Sequence, residues 1–196
     1  MPSAQVDESI ALADEKGASY WKALGMLNKS LLSAMTAEAS DAAQRMATCI
    51  TAYRSTGATF LIPWYLSCLA RAYAHVGLID DAWRCIREAV TLIETTKEKF
   101  VEAEVHRIAG EIALMVPDRD EAKALTFFKR ALVVARAEQA KSWELRAAMS
   151  MARLWRDQGK RDEARDLLAP VYGWFTEGFD TRDLKEAKKL LDEMHA

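Results

Sequence analysis

Glycine and proline are scarce in this chain, with 8 and 4 among its 196 residues. Because so few residues would break a helix, and because Ala, Glu, Leu and Arg are frequent, the composition favours helix over strand or disorder. Cysteine is also rare. Cys49, Cys68 and Cys85 have neither the density of a disulfide framework nor the spacing of a metal site. We therefore expect reduced, partly buried thiols in a cytoplasmic protein.

The chain has no excess of one charge and no long apolar run. Its formal net charge is -2 and its basic residues are not clustered, which disfavours a nucleic-acid partner. No apolar stretch approaches the roughly 18 residues of a membrane span. The opening MPSAQVDES is polar and acidic, unlike a signal peptide. With 51% hydrophobic residues the chain can still bury a core.

Two distant stretches have similar sequences, LARAYAHVGLIDDA at 69–82 and MARLWRDQGKRDEA at 151–164. They belong to a longer register of small residues. Along the first members of the predicted helix pairs, the steps are 40, 40 and 42 residues between Ser30, Ala70, Gly110 and Ala152. Along the second members, the steps are 40, 42 and 40 between Ala42, Ala82, Ala124 and Ala164. Self-similarity at a fixed period indicates a repeat architecture.

The apolar spacing inside each repeat is helical. Leu66, Leu69, Ala70 and Tyr73 fall at i, i+3, i+4 and i+7, and Ala148–Trp155 copies the pattern. We expect small residues to face small residues on the paired helix, so that the two backbones approach closely.

The turns of the repeat are marked by glycine and acidic residues. Gly77 and Gly159 are placed to end first helices, and acidic residues follow them where second helices begin. The pattern predicts an all-α fold whose helices lie near 3–16, 20–35/39–56, 60–76/79–96, 99–115/119–138, 143–158/161–174 and 181–194.

The repeat resembles the tetratricopeptide (TPR) family. Its pattern W-x-x-L-G-x-x-Y…A-x-x-x-F is met in degenerate form by Leu66, Leu69, Ala70, Tyr73, Ala82 and Ile86, and by the equivalent residues from Ala148 to Leu168. The period is 40–42 rather than about 34, so second helices are longer by about two turns. The resemblance implies a TPR-like α-solenoid of antiparallel helix pairs within one domain, 1–196. Its parts are a partial repeat at 1–18, repeats at 19–57, 58–97, 98–140 and 141–178, and a C-terminal capping helix at 179–196.

A second resemblance covers nearly the whole chain. The run AKSWELRAAMSMARLWRDQGKRDEARDLLAPVYGWFTEGFDTRDLKEAKKLLDE, with AYRSTGA at 52–58, is similar to the C-terminal repeats of bacterial adenylate/guanylate cyclase–predicted ATPase signalling proteins. This resemblance implies a non-catalytic protein–protein interaction or regulatory module. A free-standing TPR scaffold or adaptor is the alternative, and a small-molecule sensor is less favoured.

Residues with the pattern of a catalytic or cofactor site are not evident in the sequence. There is no phosphate-binding loop, and His75, His106 and His195 stand far apart. We expect no catalytic residue, metal or cofactor. His75 is interpreted as closing a helix end and His106 as a half-buried helix residue. Trp64 and Trp83 fit either packing between repeats or an exposed anchor.

The expected partner surface flanks the small residues of the first helices on a concave face. Arginine forks there would suit a carboxylate on a protein or peptide, including another domain of the parent chain. The alternative is that such residues form ordinary i,i+3 and i,i+4 ion pairs on a solvated face. The candidate residues are Trp64, Ser67, Arg71, Glu104, Arg107, Glu111, Arg146, Met149 and Arg153.

The two ends of the chain carry separate expectations. The last helix has one apolar side, as a terminal cap requires, formed by Leu184, Ala187, Leu190, Leu191 and Met194. At the other end, residues 4–19 match the tail of a second helix whose first helix is missing. This predicts a fragment of a longer protein, and a homodimer through the exposed half-repeat at Val6, Ile10 and Leu12.

Overall fold

A computed structural model describes residues 2–34 and 39–195. Over these ranges it contains ten α-helices, one short 3₁₀ helix and no strand, which confirms the all-helical class. The turn expected in the first complete pair falls at 35–38 and lies outside the described residues.

The helices follow the predicted map to within about two residues at each end. They are α1 Pro2–Glu15, α2 Ser19–Ala34, α3 Ala39–Ser55, α4 Ile62–His75, α5 Ile79–Thr96, α6 Glu102–Met115, α7 Glu121–Ala137, α8 Lys141–Asp157, α9 Arg161–Tyr172 and α10 Arg182–His195, with the 3₁₀ helix Lys99–Val101 directly before α6. Each of the four segments expected as a complete repeat contains one consecutive helix pair.

The chain divides into two compact units, Met1–Leu92 and Ile93–Ala196, here called the N-terminal and C-terminal units. In the N-terminal unit, α2 packs against α1 and α3, and α3 packs against α4. In the C-terminal unit, α8 contacts α6, α7, α9 and α10, while α6 also packs against α7 and α9 against α10. The helix α8 is therefore the centre of the C-terminal unit.

The small residues of the repeat lie in the core, as predicted. All eight are buried, and the four alanines of the second helices have no exposed surface. The large apolar residues four positions later are buried as well, namely Met46, Ile86, Phe128 and Leu168. The apolar side of α10 is also buried, as expected of a cap. The sequence period thus marks the surfaces along which helices meet.

The turns that follow α4, α7 and α8 share one backbone geometry. Gly77 and Gly159 have φ of 80° and 79°, in the left-handed region that favours glycine. In each case the next amide donates to a carbonyl five residues earlier, at 2.9 Å from Leu78 to Tyr73 and from Lys160 to Trp155. Gln139 takes the same position with φ of 53°, so one turn uses this geometry without glycine.

The expectation that small residues face small residues is wrong at Gly110. There α6 meets an aromatic ring of α7, because a Cβ added to Gly110 would lie 2.4 Å from Cε1 of Phe128. The missing side chain makes a recess in α6 that the ring occupies. The repeat therefore allows a large side chain to face the small position when glycine supplies the space.

We predict that Gly110→Ala lowers the free energy of unfolding by about 1–3 kcal/mol, because the new methyl overlaps the Phe128 ring. This loss exceeds the gain of up to about 1 kcal/mol that alanine brings to a helix interior. Urea unfolding followed by circular dichroism measures it. In a Phe128→Leu background the same substitution should be neutral or stabilising. A wild-type chain made more stable by Gly110→Ala would contradict the packing described.

Candidate functional site

The nine residues predicted to meet a partner lie on three first helices. Trp64, Ser67 and Arg71 are on α4 in the N-terminal unit, and the other six are on α6 and α8 in the C-terminal unit. Trp64, Arg71, Glu111, Arg146 and Arg153 are partly exposed.

Four of the nine do not form the expected exposed face, because Ser67, Glu104, Arg107 and Met149 are buried. The Oγ of Ser67 donates to the carbonyl of Trp64 at 2.7 Å, so its hydroxyl is satisfied within its own helix. Met149 is 3% exposed and belongs to the core. In the C-terminal unit the reason is that the first helices α6 and α8 pack against each other and cover the flanks of the small residues.

Arg107 is the centre of the polar contacts in the C-terminal unit. Its Nε and Nη2 donate to the two carboxylate oxygens of Glu104 at 2.6 and 2.8 Å, and both residues are buried, at 7% and 2% exposure. Its Nη1 donates to Glu111 and, at 3.2 Å, to Ser150 on α8. Burial alone would lower the pKa of Arg107, but its hydrogen bonds and charge interactions with the carboxylates raise the pKa above its ordinary value. The guanidinium is thus permanently charged and fully engaged.

Arg146 continues these contacts towards α10. Its Nη1 lies 3.5 Å from Oε1 of Glu104, and its Nε donates to Asp183 at 2.6 Å. Its guanidinium also lies 5.0 Å from the ring centre of Trp143. One arginine of α8 thereby links the buried carboxylate of α6 to the capping helix.

Two further arginines of α8 pair with α10. Arg153 donates to Glu186 at 3.0 Å, and Arg156 donates to Glu193 at 2.5 Å. The residue numbers of the paired side chains increase together along both helices, so α8 and α10 run in the same direction. The contacts from α6 to α8 follow the same order. We call these residues the charge ladder: Glu104, Arg107, Glu111, Arg146, Ser150, Arg153, Arg156, Asp183, Glu186 and Glu193.

The ladder changes the interpretation of the predicted arginines. Arg107, Arg146 and Arg153 were expected to hold a carboxylate of a partner, but each already holds a carboxylate of this chain. Arg71 differs, since the described residues supply no ion pair to its half-exposed guanidinium. Sequence reasoning missed the acidic residues of α10 altogether. Their signal was a row of acids that spans ten residues of α10, as the arginines span ten residues of α8, with the steps of 3 and 7 in the opposite order.

Trp143 combines packing with a hydrogen bond. Its partly buried ring packs against Ala103, Val134 and Ala135, and its Nε1 donates to the carbonyl of Phe100 at 2.9 Å. Phe100 and Trp143 both lie at the beginning of a repeat. The bond therefore joins equivalent points of two successive helix pairs in the C-terminal unit.

The histidines lie where the sequence placed them. Nδ1 of His75 is 2.7 Å from the carbonyl of Arg71 at the end of α4, and His106 is a half-buried residue of α6. Nε2 of His106 lies 3.7 Å from Glu102, while its buried Nδ1 has no hydrogen-bond partner. Burial lowers the pKa of His106, and the neighbouring carboxylate of Glu102 only partly opposes that shift. The side chain of His195 lies outside the described residues.

The three cysteines are free thiols, as expected. Burial raises the pKa of Cys85 to about 11, and burial also raises that of Cys49 against a hydrogen bond with Ser30. Thiols of this kind are weak nucleophiles at neutral pH because the thiolate is scarce. Within the described residues, no three His, Cys, Asp or Glu side chains are grouped so as to hold a metal ion.

A comparison of the chain with protein-family models found no match. A comparison with curated proteins found no significant match either. Over the described ranges, no helix combines the length and apolar character needed to cross a membrane.

We predict that Arg107→Met lowers the free energy of unfolding by about 3–5 kcal/mol, because it leaves Glu104 buried with only the more distant Arg146 as a cation. Chemical denaturation measures the loss. Replacing Glu104 by Leu in the same chain should recover a large part of it, since the uncompensated charge is then removed. Arg161→Met, at an exposed position of α9, is the matched control and should change little. Equal effects of the two single substitutions would contradict the ladder.

Stability should also depend on the protonation of His106. Its pKa is lower in the folded chain than in the unfolded chain, so the unfolded state takes up the proton first as pH falls below about 6.5. The free energy of unfolding should therefore decrease between about pH 7 and pH 5 more steeply in the wild type than in His106→Gln. His75→Gln, at an exposed position, should keep the wild-type slope. Parallel slopes for all three proteins would rule out this contribution.

Proposed function

We propose that the chain is a non-catalytic protein–protein interaction and regulatory module built from TPR-like helix pairs. We further propose that it is the C-terminal part of a bacterial cyclase/ATPase-type signalling protein and acts in the cytoplasm. The observation that supports this most is the charge ladder. It joins the parallel helices α6 and α8 and the capping helix α10 into one layer. The outer ion pairs of this layer are partly exposed.

Such a layer suits recognition of a protein. The pairs of Arg146, Arg153 and Arg156 are about a third exposed, so each contributes little to stability. A charged partner can exchange them at small cost, while the buried contacts of Arg107 keep the helices in place. The fixed charges of the layer then select the partner by complementarity.

The N-terminal unit carries candidate residues of its own. The hydroxyl of Tyr65 donates to Oδ1 of Asn28 at 2.8 Å, which ties α4 to α2. Trp64 and Arg71 lie partly exposed on α4. Tryptophan and arginine are the residue types that most often dominate the binding energy at protein interfaces.

The proposal is tested by charge reversal at Arg71 and Arg153 together. Affinity-tagged chain is expressed in its native host, and the proteins that copurify are quantified by mass spectrometry. We expect the double variant to lose its specific partner by about tenfold or more, because two carboxylate-binding forks become repulsive. Reversal at the exposed Arg45 and Arg161 is the control with the same charge change and should retain the partner. Retention by both double variants would contradict the proposed surface.

The same host separates the two forms of the proposal. An antibody against the chain should detect a polypeptide far larger than 22.0 kDa if the module belongs to a multidomain signalling protein. A single band near 22.0 kDa would instead support a free-standing scaffold or adaptor.

A further inference from the structure

The helix α10 carries its acidic residues and its lysines on two different flanks. The acidic side, with Asp183, Glu186 and Glu193, is held by the arginines of α8. Lys188 follows Glu186 by two residues, which places it about 200° further around the helix. Counted in the same way, Lys185 lies about 100° and Lys189 about 60° from Glu186, so the three lysines share one flank of α10 next to its acidic side. Among the described residues, their ion-pair partners come only from α10 itself, at 2.9 Å from Lys188 to Asp192 and 4.0 Å from Lys189 to Glu193.

A cleft of about 450 Å³ opens beside these lysines. Its apolar lining consists of Tyr172 at the end of α9, Phe179 in the following loop and Leu184 on α10. The rings of Tyr172 and Phe179 lie 5.9 Å apart at a tilt of 59°, and 45% of Phe179 is exposed. The hydroxyl of Thr181 donates to the carbonyl of Gly178 at 2.7 Å, which steadies the loop next to Phe179. The cleft therefore combines a steadied apolar recess with a row of cations.

We propose that this cleft docks an acidic amphipathic helix of a protein partner, with one apolar side chain seated between Tyr172 and Phe179. The lysines at 185, 188 and 189 have the i, i+3, i+4 spacing that faces carboxylates on a neighbouring helix. The partner helix would join α10 through Lys–carboxylate pairs on a different flank from the pairs that join α10 to α8. This inference rests on the proposed interaction function but places it on a different flank from the charge ladder.

The charges around the cleft favour an acidic protein segment over a nucleic acid. Asp192 lines the cleft, and Glu177 and Asp180 stand exposed in the loop. These three carboxylates would repel a continuous row of phosphates, whereas a helix can place its acids opposite the lysines alone. The existing pairs of Lys188 and Lys189 are exposed and weak, so a partner displaces them readily.

The test uses a fluorescein-labelled alanine-based helical peptide of about 18 residues, with glutamates along one side and leucines beside them. Fluorescence anisotropy measures its binding to the full chain. We expect Lys185→Glu with Lys188→Glu to weaken binding by about tenfold or more, and added salt to weaken it in the wild type. Lys123→Glu with Lys129→Glu, at exposed positions of α7, is the matched control and should bind as the wild type does. Phe179→Ala should also weaken binding, and circular dichroism verifies that each variant is folded.

Several results would overturn the proposal. These are no binding of the peptide up to about 1 mM, equal binding by both lysine variants, and equal binding of a peptide with glutamine in place of every glutamate. Tighter binding of a single-stranded oligonucleotide than of the peptide would assign the cleft to nucleic acid. Partner capture through Arg71 and Arg153 is measured separately. If the peptide does not bind but partner capture is intact, only the proposal for the cleft is wrong. A failure of both removes the interaction function.

Discussion

A guanidinium taken out of water has to be met by carboxylates, and in the C-terminal unit that requirement falls on Arg107. Glu104 and Glu111 on its own helix supply the charge, and Ser150 on α8 supplies a further contact. Glu104, which compensates the charge of Arg107, also lies 3.5 Å from Nη1 of Arg146, so the same carboxylate connects α6 with α8. Arg146 in turn connects α8 with α10 through its ion pair with Asp183. The contacts of this one buried cation and its carboxylates thus run from α6 to α8, and those of Arg146 continue to α10.

The ion pairs within the C-terminal unit determine which charged side chains remain exposed on its surface. Arg107 is closed off, and its raised pKa makes it unsuited to proton transfer. The arginines of α8 are only partly covered, so they can still respond to a charged partner. On another flank of α10, the lysines beside Phe179 have no ion pair with a carboxylate from another described helix. The unit therefore presents partly exposed ion pairs, the lysines of α10 and the ring of Phe179 to solvent.

Much of the fold could be predicted because the period is carried by residue size. Ala70 and Ala152 mark where helices meet whatever the identity of their neighbours, and turn glycines such as Gly77 mark where they end. The site was harder to predict, since pairs such as Arg146 with Asp183 depend on which helices stack and in which direction. Within one helix, the contacts of Arg107 with Glu104 and Glu111 could be read from i,i+3 and i,i+4 spacing, and the structure contains them. Their burial could not be read, because it depends on the neighbouring helix.

The central claim, that Arg107 is a buried and fully engaged cation, is tested most directly by nuclear magnetic resonance of arginine side chains. The Nε–Hε group of Arg107 is enclosed and donates to Glu104, whereas Arg161 is exposed on α9. Side-chain hydrogen exchange should therefore be slower at Arg107 than at Arg161 by about a hundredfold or more, as expected for a group that exchanges only on opening. Equal exchange rates at the two residues would show that Arg107 is solvated. That result would contradict the buried contacts described between α6 and α8.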